Sequence, residues 1–194
     1  QKNFEDELGK SSHTTGKNLL LFTAAAHSIK CVLEADKKDI LAGSSIEVLG
    51  LEEYRKATRL YAGLEHPITF HGVIDRVDRK DGVLRILDYK TGQTNSKELR
   101  PREVSDCLSD SVYSKSFQVL FYSMLWAEDN PNSPFNAGVI SLKKISSGPM
   151  FLGLGTGRTK RTELVTEDLE NFEKELEKLA IEIYTPDIPF TEVI

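Results

Sequence analysis

The sequence predicts an α/β fold, a mixed β-sheet flanked by helices, and three observations carry that expectation. Asp81-Gly82 is a strong hairpin signal between two runs rich in β-formers, 68–79 and 83–90. The segments 116–128 and 166–183 repeat their apolar residues with a helical period. Taken together, the elements follow the order helix, strand, hairpin, helix, strand, helix, which layers helices on a sheet. The 194 residues can bury one sizeable core, and 39% hydrophobic with 28% charged residues is ordinary for a globular domain.

The elements follow in order. Residues 1–17 are polar and are expected to be flexible; 18–194 are expected to form one domain. A helix is predicted over 18–36, followed by an acidic linking stretch and a strand over 46–51. The hairpin strands come next. Residues 96–114 have mixed polar composition and no clear period, so a loop with a short helix is expected, placed where a nucleic-acid strand could thread. In 116–128 the residues Phe117, Leu120, Phe121, Met124 and Leu125 form an apolar stripe. The run Asn130-Pro131-Asn132-Ser133-Pro134 ends that helix and leads into strands over 135–143 and 150–154. Gly153-x-Gly155-x-Gly157 is expected to be a turn, because no Gly-Lys-Ser or Gly-Lys-Thr follows at a strand-to-helix switch. Thr166 is placed as the cap of the last helix, with Glu167 and Asp168 favouring its N-terminus. Its stripe is Leu169, Phe172, Leu176, Leu179 and Ile183.

The hairpin concentrates the chemistry. A two-residue turn at Asp81-Gly82 sets Lys80 opposite Val83 and therefore Asp75 directly opposite Asp88. Opposed residues of an antiparallel pair share a face with Cβ atoms roughly 4.5 to 5.5 Å apart, and like charges so placed are destabilising unless something neutralises them. A divalent cation would do so, and hard oxygen ligands favour Mg2+ or Mn2+ over zinc. Lys90, two residues beyond Asp88, shares its face and could stabilise charge on a phosphate. The competing reading is an exposed charged hairpin in which Lys90 forms a cross-strand ion pair. On the helix, Gln118 and Tyr122 are four residues apart on one flank, so both polar tips can point at one site.

In sequence, Gly72-Val73-Ile74-Asp75, Asp88-Tyr89-Lys90-Thr91-Gly92 and Gln118-x-x-x-Tyr122 together resemble the PD-(D/E)XK nuclease superfamily, specifically its RecB and AddB type, over roughly residues 19–190. The resemblance implies a restriction-endonuclease-like core. It makes Asp75 and Asp88 metal ligands, Lys90 the catalytic lysine, and the carbonyl of Tyr89 a further ligand. Gln118 and Tyr122 match a helix motif that contacts DNA or supports the metal. Glu52, in Leu49-Gly50-Leu51-Glu52, matches the upstream acid, with Glu47 and Glu53 as competitors. The implied activity is Mg2+- or Mn2+-dependent DNA exonuclease action, in a helicase–nuclease serving double-strand-break repair and recombination, with a helicase domain or subunit as partner. A catalytically inactive nuclease-fold domain that binds DNA or acts as a scaffold is the alternative.

One departure concerns histidine. RecB-type nucleases often carry a metal-binding histidine on an early helix, and none of His13, His27, His66 and His71 is a clear equivalent. The chain begins with Gln, so it is expected to be a fragment of a larger protein whose preceding part could hold that residue.

Charge bears on the partner. The net charge of −5 disfavours phosphate binding as a whole-chain property. Its distribution softens the objection, because 130–162 contains no acidic residue but does contain Lys143, Lys144, Arg158, Lys160 and Arg161. Lys143 and Lys144 are candidate DNA contacts. Cys31 and Cys107 lack the spacing of a zinc or iron–sulfur site, and a reducing, cytoplasmic setting is expected. No apolar run approaches the roughly 18 residues of a membrane span.

Overall fold

The computed structural model describes residues 16–130 and 134–185. Most of the expected flexible segment lies outside them, but Gly16 and Lys17 already belong to the first helix, α1 (Gly16–Leu41). That helix also takes in 37–41, expected as a linker. The acids there are used against the sheet: Asp36 pairs with Arg76 at 2.7 Å, and Asp39 pairs with Lys80.

Strand β1 (Ile46–Arg59) runs well past its expected end at 51. Its second half is rich in charge, which hides the strand from a hydrophobic pattern, yet those long side chains cover the molecule's helices. Arg55 lies 4.8 Å over the ring of Trp126 and pairs with Asp129 at 2.7 Å, while Arg59 pairs with Glu128 and Glu173. Strands β2 (Ile68–Lys80) and β3 (Val83–Lys90) match the expected hairpin, from Lys80 opposite Val83 to Arg76 opposite Leu87. Asp81 and Gly82 both have positive φ, 52° and 83°, as a twisted two-residue turn requires. The Asp81 carboxylate accepts the Ser45 amide at 2.8 Å, which holds its carboxyl below the usual range.

A long crossover follows. The stretch expected as a loop with a short helix holds that helix, α2 (Asp106–Ser109), between 3-10 turns at Ser96–Leu99 and Ser111–Tyr113. Helix α3 (Ser114–Ala127) then buries Val119, Leu120, Met124 and Leu125. The crossover lets β4 (Phe135–Ser141) pair parallel with β3, a step that needs a connection of a dozen or more residues. β4 ends at Ser141, not 143: the amide of Leu142 still donates to the carbonyl of Lys90, but that of Lys144 turns back to the carbonyl of Ser141. The short strands β5 (Met150–Phe151) and β6 (Glu163–Leu164) both pair antiparallel with β4; β6 was not expected, and β5 stops short of 154.

The sheet order is β1-β2-β3-β4-β5, with β6 beside β4, so the expected mixed sheet is present. Helix α4 (Thr166–Tyr184) buries Leu169, Phe172, Leu176 and Ala180, and its stripe stops there, leaving Ile183 exposed. Thr166 does not cap it. Val165 takes that position, and the side chain of Asp168 reaches back to accept its amide at 2.9 Å. Phe172 packs near Phe117, and Phe121 meets Phe70 edge-on at 6.0 Å, so the core runs from α4 through α3 to the sheet.

The opposite side of the sheet is built differently. Arg76, Asp78 and Arg85 are buried there as a charged cluster: Asp78 accepts from Arg76 Nε and Arg85 Nε, each at 2.6 Å, and Arg76 continues to Asp36 of α1. Helix α1 buries none of its own residues and leans on the sheet through these ion pairs.

Candidate active site

The β2–β3 ladder stops at Arg76 opposite Leu87, one step short of the acids. At the next position the carboxylate of Asp75 accepts the backbone amide of Tyr89 at 2.7 Å. A side chain thus replaces the carbonyl that a continuing ladder would have offered, and the strands are free to part. The alternation of β2 changes phase here. Phe70 and Gly72 face α3, where a Cβ on Gly72 would lie 3.1 Å from the ring of Tyr122, whereas Arg76, of the same parity, reaches α1 on the other side. β1 is irregular alongside: its register shifts between Val48 and Gly50, and Glu52 sits at a φ of +51°.

Asp88 lies on β3 between β2 and β4 and is only 3% exposed. Burial pushes its carboxyl up from the ordinary range, the neighbouring Asp75 adds to that, and Lys90 opposes it. The ammonium of Lys90 is 2.8 Å from Asp88 Oδ2, near enough for an ion pair, yet this buried oxygen has no aligned hydrogen bond. Lys90 donates instead to Gln118 Oε1, and Gln118 Nε2 donates to the Tyr122 hydroxyl at 2.9 Å. Asp75, Asp88, Lys90, Gln118 and Tyr122 therefore converge, with α3 holding the lysine over the end of β3.

The donor set suits a hard divalent cation. Mg2+ is commonly held by one or two carboxylates with the remaining positions filled by water and substrate phosphate. Asp88 Oδ2 is a buried acceptor with capacity left, beside Asp75 and the Tyr89 backbone. Among the described residues no third His, Cys, Asp or Glu completes a metal-holding group with them. Glu52 is exposed; the register on either side, Leu51 to Arg76 and Glu53 to Ile74, sets it across from Asp75, but at its positive φ it joins no metal-holding group of three with the two acids among the described residues. Glu53 folds over Gly50 and pairs with Arg55 at 3.3 Å, and Glu47 pairs with Arg79 at 2.8 Å. Of the histidines, His27 contacts Cys31 on α1 and His71 stacks by Tyr54.

Lys143 and Lys144 lie exposed in the turn after β4. Gly72 was legible as part of the Gly72-Val73-Ile74-Asp75 motif, but not its role, which is to make room for the ring of Tyr122; a glycine inside a strand was the available signal.

In this mixed sheet two acids and a lysine thus meet at the end of the central strand. Comparison with protein families identifies it further: the model of the PD-(D/E)XK nuclease superfamily matches residues 5–193, and the chain belongs to that superfamily, whose members are nucleases that generally use divalent metal ions. No curated protein matches the chain.

Proposed function

We propose that the chain is an Mg2+- or Mn2+-dependent deoxyribonuclease domain, with Asp75, Asp88 and the Tyr89 carbonyl holding the cation and Lys90 acting on the phosphate. The observation that carries this reading is the buried, incompletely bonded carboxylate of Asp88 beside Asp75 and 2.8 Å from Lys90. When bound, the cation would lower the pKa of a water and offset charge developing on the phosphate. The chain's own residues do the rest. Asp75 is oriented by the Tyr89 amide, so its carboxylate is fixed before any ligand arrives. Lys90 is fixed by Gln118, itself bonded to Tyr122, and a cation so preorganised stabilises negative charge without reorganising. Lys143 and Lys144 carry backbone contacts at the end of β4.

The finer reading is an exonuclease domain of a RecB or AddB-type helicase–nuclease that acts on DNA ends in cytoplasmic repair and recombination. It is supported by the order of the motifs along the chain, and a helicase domain or subunit is the corresponding partner. A second reading, an inactive nuclease-fold scaffold, is favoured by one observation, that two carboxylates and no third metal-holding group meet among the described residues.

Metal binding separates the two. Millimolar Mn2+ raises the melting temperature of the wild type, since a ligand that binds only the folded state stabilises it by mass action, and does not raise that of Asp88→Ala. Equal responses in both proteins contradict the site.

A further inference from the structure

Asp75 and Arg76 are consecutive on β2, so their side chains leave opposite faces, and so do those of Asp88 and Tyr89 on β3. The acids go to the site; their neighbours go to the side of α1. There Arg76 is only 3% exposed and is held from two elements: Nε donates to Asp78 Oδ2 at 2.6 Å, and Nη1 donates to Asp36 Oδ2 of α1 at 2.7 Å. Nη1 also reaches the hydroxyl of Tyr89 at 3.5 Å, diagonally across the strands, since Tyr89 is two residues beyond Leu87, the ladder partner of Arg76. A closed circuit results. The Asp75 carboxylate accepts the Tyr89 amide, the Tyr89 hydroxyl accepts from the Arg76 guanidinium, and Arg76 follows Asp75 along the chain. Stability is not a sufficient reason for this arrangement. Buried ion pairs contribute little net stability, their best-attested use is to fix register, and Arg76 Nη2 is buried with no hydrogen-bond partner.

Resting on the nuclease reading, we propose that Arg76, braced by Asp36, is a positioning residue for the cation site. The β2–β3 ladder ends at Arg76, so backbone pairing does not fix Asp75. Anchoring Arg76 on the side of α1 does. A strand whose residue 76 is tied to one face presents residue 75 to the other, and a slip of one residue would turn that carboxylate away from Asp88. The contact with Tyr89 acts on the second strand: it holds in place the backbone whose amide orients Asp75. Arg76 and Asp36 therefore act through Asp75 and Tyr89, not on the cation itself.

The test reads the Mn2+ affinity of the full chain without DNA, from the electron paramagnetic resonance of unbound Mn2+, alongside the melting temperature in EDTA. Only binding that Asp88→Ala removes is counted. Arg76→Met leaves Asp78 both of its bonds from Arg85, and Asp36→Asn changes a partly exposed acid. Each weakens Mn2+ binding about tenfold, the lower end of what is lost when a group that orients a metal ligand is removed. Asp39→Asn releases the other ion pair between α1 and the sheet and leaves Mn2+ affinity unchanged, whatever it does to the melting temperature. Wild-type affinity in folded Arg76→Met or in Asp36→Asn, or a loss in Asp39→Asn equal to that in Asp36→Asn, overturns the positioning role while the nuclease reading stands. Should Arg76→Met not fold, Asp36→Asn alone decides. A wild type with no Mn2+ binding that depends on Asp88 refutes the nuclease reading and this role with it.

Discussion

The carboxylate of Asp75 takes the backbone amide of Tyr89 at 2.7 Å, at the point where the β2–β3 ladder ends. One side chain thereby both terminates strand pairing and stands beside Asp88. Asp75→Asn keeps an acceptor oxygen and is expected to preserve stability, whereas Asp75→Ala leaves the amide unpaired and costs about 1–3 kcal/mol. Urea unfolding of the two variants checks this; equal losses would show that the bond contributes little to the fold.

A larger cost is expected on the other face of the sheet. Asp78 is fully buried between Arg76 and Arg85, so Asp78→Ala strands the Arg85 guanidinium and leaves Arg76 with Asp36, and destabilises by about 3–5 kcal/mol. Denaturant midpoints measure it. A destabilisation under about 1 kcal/mol would mean that water reaches the cluster.

The two cysteines are expected to react differently. Burial pushes the Cys107 thiol up to about 12, so it stays protonated at pH 8, and the thiolate is the reactive form. Cys31, half-buried on α1, is the one that native-state alkylation labels. Labelling of Cys107 at a comparable rate, followed by mass spectrometry, would show that α2 opens readily.

Much of this architecture is legible in the sequence, for physical reasons that differ by element. The hairpin was the clearest, because Asp81-Gly82 admits positive φ at both positions and the register then follows from the two-residue turn. Helix α3 announced itself by its apolar stripe. The second half of β1 did not, since Arg55 and Arg59 do by cation–π and ion-pair contacts what apolar residues usually do, and pattern reasoning counts them as solvent-facing. Asp39 was misleading in the same way, an acid in a stretch that looks like a linker until its basic partner on β2 is known. At the site, the register leads toward Asp75 and Asp88 but stops one pair short of them, so their nearness could be derived and their direct opposition could not, while the Gln118–Tyr122 spacing follows from helix geometry. The change of phase in β2 could not be derived, because it depends on a side chain replacing a backbone acceptor.

Chemistry and binding should separate by variant. Lys90→Ala is expected to spare most DNA affinity and to abolish turnover, because its electrostatic help is realised mainly in the transition state. Replacing Lys143 and Lys144 with Ala is expected to weaken binding and to lower the slope of log affinity against log salt by about one unit for each phosphate that the protein no longer neutralises. Anisotropy titrations over a salt series, with single-turnover cleavage rates, distinguish these effects.

Whether Asp75 and Asp88 form a metal-dependent phosphodiesterase centre is tested most directly by cleavage of end-labelled linear DNA in Mn2+, comparing the wild type with Asp88→Ala. The expected result is Mn2+-dependent cleavage that EDTA stops and that Asp88→Ala lacks while remaining folded. Cleavage by Asp88→Ala at the wild-type rate, or none by a folded wild type with Mn2+ present, would contradict such a centre.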